Sequence, residues 1–192
     1  MADLIDLKVR PLTAQRWHDF ETLFGPRGAC AGCWCIFWKL SAQDFDAGRY
    51  ARNKAAQKSI VAAGEVPGLL AYLGHQAVGW IAVQPRASYP RLGRSRLLKP
   101  ADGRAEWSIT CFFVRRDVRG RGVSGALVKA AVAHVAKLGG KIVEAYPVDA
   151  LKGRLPAVSA YTGLAASFRK LGLQEVARNA PGRPILRLTT GD

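Results

Sequence analysis

Two rhythms of apolar and polar positions run along the chain, and the switches between them predict its elements. Leu7 and Val9 alternate with Lys8 and Arg10 before Pro11, the period-two pattern of a strand closed by a proline. Trp17, Phe20, Leu23 and Phe24 then fall on one face of a helix that Thr13 can cap and Gly25-Pro26 ends. A second helix is expected from about Asp46 to Ala63, with Gly64 as its stop. Two apolar runs, Gly68 to Leu73 and Ala77 to Val83, flank Gly74-His75-Gln76, which has the composition of a hairpin turn. Trp107 to Val114 is rich in aromatic and β-branched residues and reads as a strand. Val123, Leu127, Ala131, Val135 and Leu138 return to helical spacing and stop at Gly139-Gly140. A strand over Ile142 to Tyr146, a helix over Ser159 to Leu171 and a last strand over Pro184 to Thr189 complete the series.

The order β-α-α-β-β-β-α-β-α-β predicts one α/β (α+β) domain over residues 1–192, with a mixed central sheet of about six strands. Trp107 to Tyr146 forms a strand, helix and strand with short connections, which the crossover rule makes parallel and right-handed. Two stretches fit neither rhythm. Gly28 to Leu40 is rich in cysteine and tryptophan, and residues 85–104 form a long basic loop carrying Arg86, Arg91, Arg94, Arg96 and Lys99.

Composition adds a charge bias. At 192 residues with 49% hydrophobic and 22% charged positions the chain is an ordinary globular one, but 29 Lys and Arg stand against 14 Asp and Glu, a formal net charge of +15. Such a surface favours anionic ligands; because the basic residues are scattered, nucleic acid is not the expected partner. No basic start leads into an apolar run and a cleavage site, and no apolar run reaches the roughly 18 residues of a membrane helix, so a cytoplasmic protein is expected. Cys30, Cys33, Cys35 and Cys111 are too few and too clustered for a secreted disulfide scaffold, and read as thiols.

The chemistry sits in Val114-Arg115-Arg116-Asp117-Val118-Arg119-Gly120-Arg121-Gly122-Val123-Ser124-Gly125, where a strand runs into a glycine-dense turn that opens a helix. N–H groups at a helix start lack partners inside the helix, and the helix dipole adds positive charge there. Glycines let phosphates approach those N–H groups, so the turn is a candidate pyrophosphate cradle; a plain turn has the same composition.

These residues resemble motif A of the GNAT acetyltransferases, with Arg119-Gly120-Arg121-Gly122-Val123 in the motif's place. Arg116 replaces a common proline, and Ser124 stands where Gly or Ala is usual. Phe168-Arg169-Lys170-Leu171-Gly172-Leu173 is similar to the family's aromatic-Glu-Lys-Leu-Gly-Phe signature, in the expected order. The resemblance implies the GNAT fold and an acetyl-coenzyme A donor. It implies that the backbone of Phe113 and Val114 pairs with the pantetheine arm, and that N–H groups from Arg119 through Gly120, Arg121, Gly122, Val123 and Ser124 to Gly125 hold the pyrophosphate. The Val114 N–H is also implied as donor to the thioester carbonyl. The family's tyrosine for the departing thiolate is replaced here by Phe168, which adjoins the cofactor and cannot give a proton.

Acyl transfer to an amine needs a base, since an alkylammonium has no free lone pair. Glu106 shares a strand face with Ser108, Thr110 and Phe112 and is the first candidate, though relatives carry their glutamate at the position of Ser108. Glu144 is the second, and Tyr146, at the end of the fifth strand beside the family's gap between strands four and five, is the candidate acid. Cys33, Trp34, Cys35 and Trp38 are candidates to line the acceptor pocket; small buried side chains are the other reading of these cysteines. Zinc would need a fourth ligand, and neither His18 nor His75 stands at a familiar spacing, so no metal is expected.

The expected function is acetyl-CoA-dependent N-acetylation of a small-molecule amine, an antibiotic or metabolite, by a monomer or homodimer. A protein or peptide N-acetyltransferase is one alternative, and an acyl-CoA-binding regulator without turnover is another.

Overall fold

The structure is a computed structural model that describes residues 6–100, 102–104, 106–149 and 161–190. Its elements are β1 (Leu7–Pro11), α1 (Trp17–Phe24), α2 (Ala42–Ala47), α3 (Ala51–Ala62), β2 (Gly68–Leu73), β3 (Gln76–Pro85), α4 (Pro90–Gly93), β4 (Trp107–Val114), α5 (Val123–Lys137), β5 (Ile142–Ala145), α6 (Ala165–Arg169), β6 (Gln174–Ala180) and β7 (Arg183–Thr189). The strands form one mixed sheet in the order β1-β2-β3-β4-β5-β7-β6. All neighbours are antiparallel except β4 and β5, the parallel pair that α5 connects.

Side-chain alternation divides the core between the two faces. Ile81, Ile109, Val143 and Leu186 meet the apolar stripe of α5, Val123, Leu127, Ala131 and Val135, on one face. Leu70 and Trp80 meet Trp17, Phe20 and Phe24 of α1 on the other, where Phe20 packs edge-on against Trp80 at 4.8 Å. A third cluster, Tyr89, Leu92, Leu98, Tyr146 and Ile185, lies under the basic segment.

The structure departs from the sequence pattern in several places. The single helix expected from Asp46 to Ala63 is two, because Ser41 caps α2 by accepting from the Asp44 N–H at 3.1 Å and the chain breaks after Ala47. At the break a Cβ on Gly48 would stand 2.6 Å from Asn53 Oδ1, and Tyr50 has φ +68°. Buried Asn53 then donates to the carbonyls of Gly32 and Phe45, fastening the cysteine-rich segment to α2.

A seventh strand, β6, joins the expected six. Its Gln-Glu-Val-Ala-Arg-Asn-Ala carries no alternation because it is a mostly exposed edge strand with two register irregularities. Leu138 lies past the end of α5 and is 58% exposed, so the buried stripe ends at Val135. Of the helix expected over Ser159 to Leu171, Ala165–Arg169 is helical, and residues 159 and 160 lie outside the described residues.

The basic loop is folded down on the sheet. After a 3-10 turn at Arg86–Ser88 and the short α4, Arg86 Nη2 donates to the Leu98 carbonyl at 3.0 Å. Asn179 Nδ2 donates to the carbonyls of Leu97 and Lys99, and Arg187 grips Asp102 through two bonds of 2.7 and 3.0 Å.

Candidate active site

A bulge makes the site. In the register of β3 with β4, Ala82 faces Cys111 and the next residue, Val83, faces Ile109, so Thr110 is the extra residue on β4. Pairing of β4 with β5 covers Trp107, Ser108 and Ile109 and stops there. Beyond the bulge β4 bends away from β5. The Arg115 N–H donates to the Val78 carbonyl on β3, whereas the Phe112 N–H donates at 2.6 Å to the Tyr161 carbonyl on the other side. By alternation, Val114 turns its N–H and carbonyl to the same open edge as Phe112, and Phe113, opposite Trp80, turns to β3.

The glycine-dense turn follows. Gly120 has φ +77° and Gly122 φ +86°, conformations that a side chain would strain, and a Cβ on Gly120 would meet nothing within 4 Å. The first helical bond of α5 runs from the Ala126 N–H to the Gly122 carbonyl, so the N–H groups of Val123, Ser124 and Gly125 have no helical partner. Arg119 and Arg121 are exposed beside them, and Arg119 Nε donates to the Val114 carbonyl at 2.9 Å. Arg115 pairs with Asp117 and holds that carboxyl down at about 2. Phe168 is 1% exposed and meets Phe112 edge-on at 5.5 Å, forming an apolar wall beneath the open edge.

On the opposite face, at the level of the bulge, lies a buried polar network. Glu144 has no exposed surface; its Oε1 accepts from Arg187 Nη2 at 2.6 Å and Nε at 3.2 Å. Its Oε2 accepts from the Tyr146 hydroxyl at 3.1 Å. Because that bond uses the only proton of Tyr146, the two other contacts of the phenol oxygen come from donors: Arg86 Nη1, and the Ser108 hydroxyl at 2.9 Å. Burial, followed by the Glu144 charge, pushes the Tyr146 pKa well up, so the phenol is protonated at neutral pH.

Glu144 and Tyr146 are therefore brought together, with Ser108 between them and the bulge. Glu106 is not: it is exposed, and its Oε2 accepts from the Lys141 N–H at 2.8 Å at the far end of the strand pair. Six positions of extended chain, about 20 Å, separate it from Phe112. Sequence reading named Arg86 only as part of the basic loop, and missed Asp102 and Arg187. For Arg187 a signal exists, since it interrupts the apolar run of β7 directly opposite Glu144.

Trp34 is 3% exposed and packs between Trp17 and Phe24. Trp38 joins the cluster of Tyr89 and Tyr146. Cys35 Sγ accepts from Trp80 Nε1 at 3.1 Å, and burial pushes the Cys33 thiol up to about 11, far from thiolate reactivity. Among the described residues no three His, Cys, Asp or Glu side chains are placed to hold a metal ion, and no helix is long and apolar enough to cross a membrane.

Residues 33–163, more than half of the chain, match the sequence profile of the Acetyltransferase (GNAT) family. The chain belongs to the GNAT family. It is, accordingly, an N-acetyltransferase with the GNAT fold. Solved structures of similar fold include the PaiA N-acetyltransferase from Thermoplasma acidophilum in complex with coenzyme A, at 11% identity and TM-score 0.53 over 96% of this chain and 99% of that one. An agmatine N-acetyltransferase mutant is similar at 15% identity and TM-score 0.56, over 96% and 99% of the two chains. The polyamine N-acetyltransferase of Drosophila melanogaster, which forms N-acetylagmatine, is similar at 14% identity and TM-score 0.55, over 96% and 98%. No curated protein sequence matches the chain.

Proposed function

We propose that this GNAT protein transfers an acetyl group from acetyl-CoA directly to the amine of a small molecule, at the bulged edge of β4. The observation that carries the reading is the conjunction, at one end of β4, of helix-start N–H groups without a helical partner and a strand edge that has parted from β5. The free N–H groups of Val123, Ser124 and Gly125 suit a pyrophosphate, and the Val114 edge suits the amides of a pantetheine arm. The backbone at Gly120 and Gly125 is open and fits a pyrophosphate, and Arg119, which holds the Val114 carbonyl, must release it for a pantetheine amide to pair there.

Acetyl-CoA supplies the thioester. The Val114 N–H is oriented to donate to its carbonyl, and the aromatic pair Phe112 and Phe168 keeps water from the apolar side of the edge. On the acceptor side, Ser108, Tyr146 and Glu144 form a chain of hydrogen bonds that can take the proton of the attacking amine inward, while Arg187 and Arg86 fix its geometry. The small acceptor is supported by the agmatine and polyamine enzymes that share the fold. Release of free thiol from acetyl-CoA across an amine panel tests the reading. Tight acetyl-CoA binding without thiol release from any amine would instead support a non-catalytic binder.

A further inference from the structure

Two buried polar groups without a partner belong to one cluster on the acceptor side, and a part-buried lysine lies over one of them. Tyr89 is 2% exposed, yet its hydroxyl makes no hydrogen bond. It faces Thr110 at the β4 bulge without closing a bond to it, and burial pushes its pKa up, which keeps it a neutral donor. Trp38 packs against the same cluster, and its indole Nε1 is buried and equally unpaired. Lys39, the next residue, holds its ammonium 5.3 Å from the centre of the Tyr89 ring. Lys39 is part-buried and forms no ion pair among the described residues; Glu65, the carboxylate that acts on it, lies beyond ion-pair distance and accepts from Gln84 Nε2 at 3.0 Å.

An indole N–H and an ammonium can only donate, and a phenol donates readily; together they ask for an oxygen that accepts. Native interiors leave few such donors unsatisfied, because each carries its full desolvation cost. Charge points the same way. Arg86 and Arg91 flank Tyr89 in the chain, and 29 basic residues stand against 14 acidic ones overall. A polyamine offers only N–H donors and positive charge; the Tyr89 oxygen and ring can receive it, but the Trp38 N–H and the Lys39 ammonium cannot.

We propose that the acceptor is an amine with a carboxylate or carbonyl oxygen beside its nitrogen, as in an amino acid or the first residue of a peptide, and that the Tyr89 hydroxyl, with Trp38 and Lys39, binds that oxygen. The inference rests on the acetyl-transfer reading above. In the reaction the amine nitrogen forms a bond to the acetyl carbon, the carbon–sulfur bond breaks, the amine gives up one proton and the departing thiolate gains one.

The experiment measures thiol release from acetyl-CoA at fixed ionic strength with free amino acids, amino-acid amides and dipeptides, against agmatine and spermidine. At least tenfold higher kcat/KM is expected for the oxygen-bearing amines. A preference for free amino acids over their amides identifies the carboxylate as the oxygen read, and the reverse identifies the carbonyl. Tyr89→Phe should lower kcat/KM for the preferred acceptor at least tenfold, leave acetyl-CoA affinity unchanged, and leave Tm equal or higher because no bond is lost. Preference for agmatine or spermidine overturns the proposal and leaves acetyl transfer standing. An unchanged kcat/KM in Tyr89→Phe overturns it too, as does a lowered Tm, which would give the hydroxyl a structural partner. A wild-type protein that releases thiol with no amine overturns the acetyl-transfer reading and this proposal together.

Discussion

Arg187 and Glu144 face each other across β7 and β5, Nη2 2.6 Å from Oε1, where the glutamate side chain has no exposed surface and the arginine 8%. Taking both charges out of water costs several kcal/mol each, and their attraction repays this only while every lone pair and proton is satisfied. Here most are: Tyr146 serves the second glutamate oxygen, and Asp102 the outer side of the guanidinium.

Removing one partner should therefore cost more than removing both. Arg187→Met removes the nearest cation from a buried carboxylate, leaving Tyr146 and the Arg86 guanidinium at 4.0 Å, and is expected to destabilise the fold by about 3 kcal/mol. Glu144→Gln combined with Arg187→Met is expected to recover part of that loss. Urea unfolding of the two variants checks the order, and equal losses would mean that the pair is open to water.

Asp102 gives the network an acid limit. The bonds from Arg187, then the N–H of Arg104, hold its carboxyl well below the usual carboxylate range. An unfolded Asp titrates near ~3.9, so as pH falls the unfolded chain takes up the proton first. The stabilisation is complete above about pH 4 and fades below it. In Asp102→Asn the acid limb of Tm against pH should be shallower below about pH 4 than in wild type. Identical acid limbs would mean that Asp102 is not paired in solution.

The cofactor turn can be probed without disturbing the fold. Gly122→Glu places a carboxylate against the proposed pyrophosphate and should abolish coenzyme A binding, but at φ +86° it also strains the backbone. Ser124→Glu separates the effects. Ser124 is exposed in the first turn of α5, where a carboxylate interacts favourably with the helix dipole. Stability should hold or rise while coenzyme A affinity falls at least tenfold in calorimetry. Undiminished affinity would remove the turn from the binding site.

What the sequence made legible is what local pattern controls. The sequence pattern predicts β4 over Trp107 to Val114 and the strand is Trp107–Val114, because β-branched and aromatic residues crowd an interior strand of the sheet. The turn that opens α5 was legible because it needs positive φ, which Gly120 and Gly122 adopt without strain. Edge strand β6 was not, since half-exposed edges impose no alternation, and the break at Gly48 was not, since it depends on Asn53 reaching Gly32 from 21 residues away. The site was legible as far as its strands. Which candidate carboxylate stands near the bulge depends on the register of β4 with β5, which pairs Ser108 with Glu144 and leaves Glu106 below the pair. No residue pattern along one strand encodes that.

The acid–base step is where this placement has the sharpest consequence. If the proton of the amine moves through Ser108, Tyr146 and Glu144, then Tyr146→Phe breaks the chain at its centre while keeping the ring that packs against Tyr89 and Ile185. We expect kcat to fall by about 10²-fold or more at neutral pH, the usual size of a general acid–base contribution, with coenzyme A affinity nearly unchanged. Glu144→Gln should lower kcat similarly, and it also weakens the grip on Arg187, so its stability must be measured beside its rate. Glu106→Gln is the control. It loses a contact to the Lys141 N–H at the far end of the strands and should keep near-native kcat. A large kcat loss in Glu106→Gln alone, with a changed ascending limb of the pH–rate profile, would return the base to the strand end and take the buried network out of the chemistry. Near-native kcat in all three variants would leave positioning as the source of rate, with the acceptor amine arriving neutral or losing its proton to water.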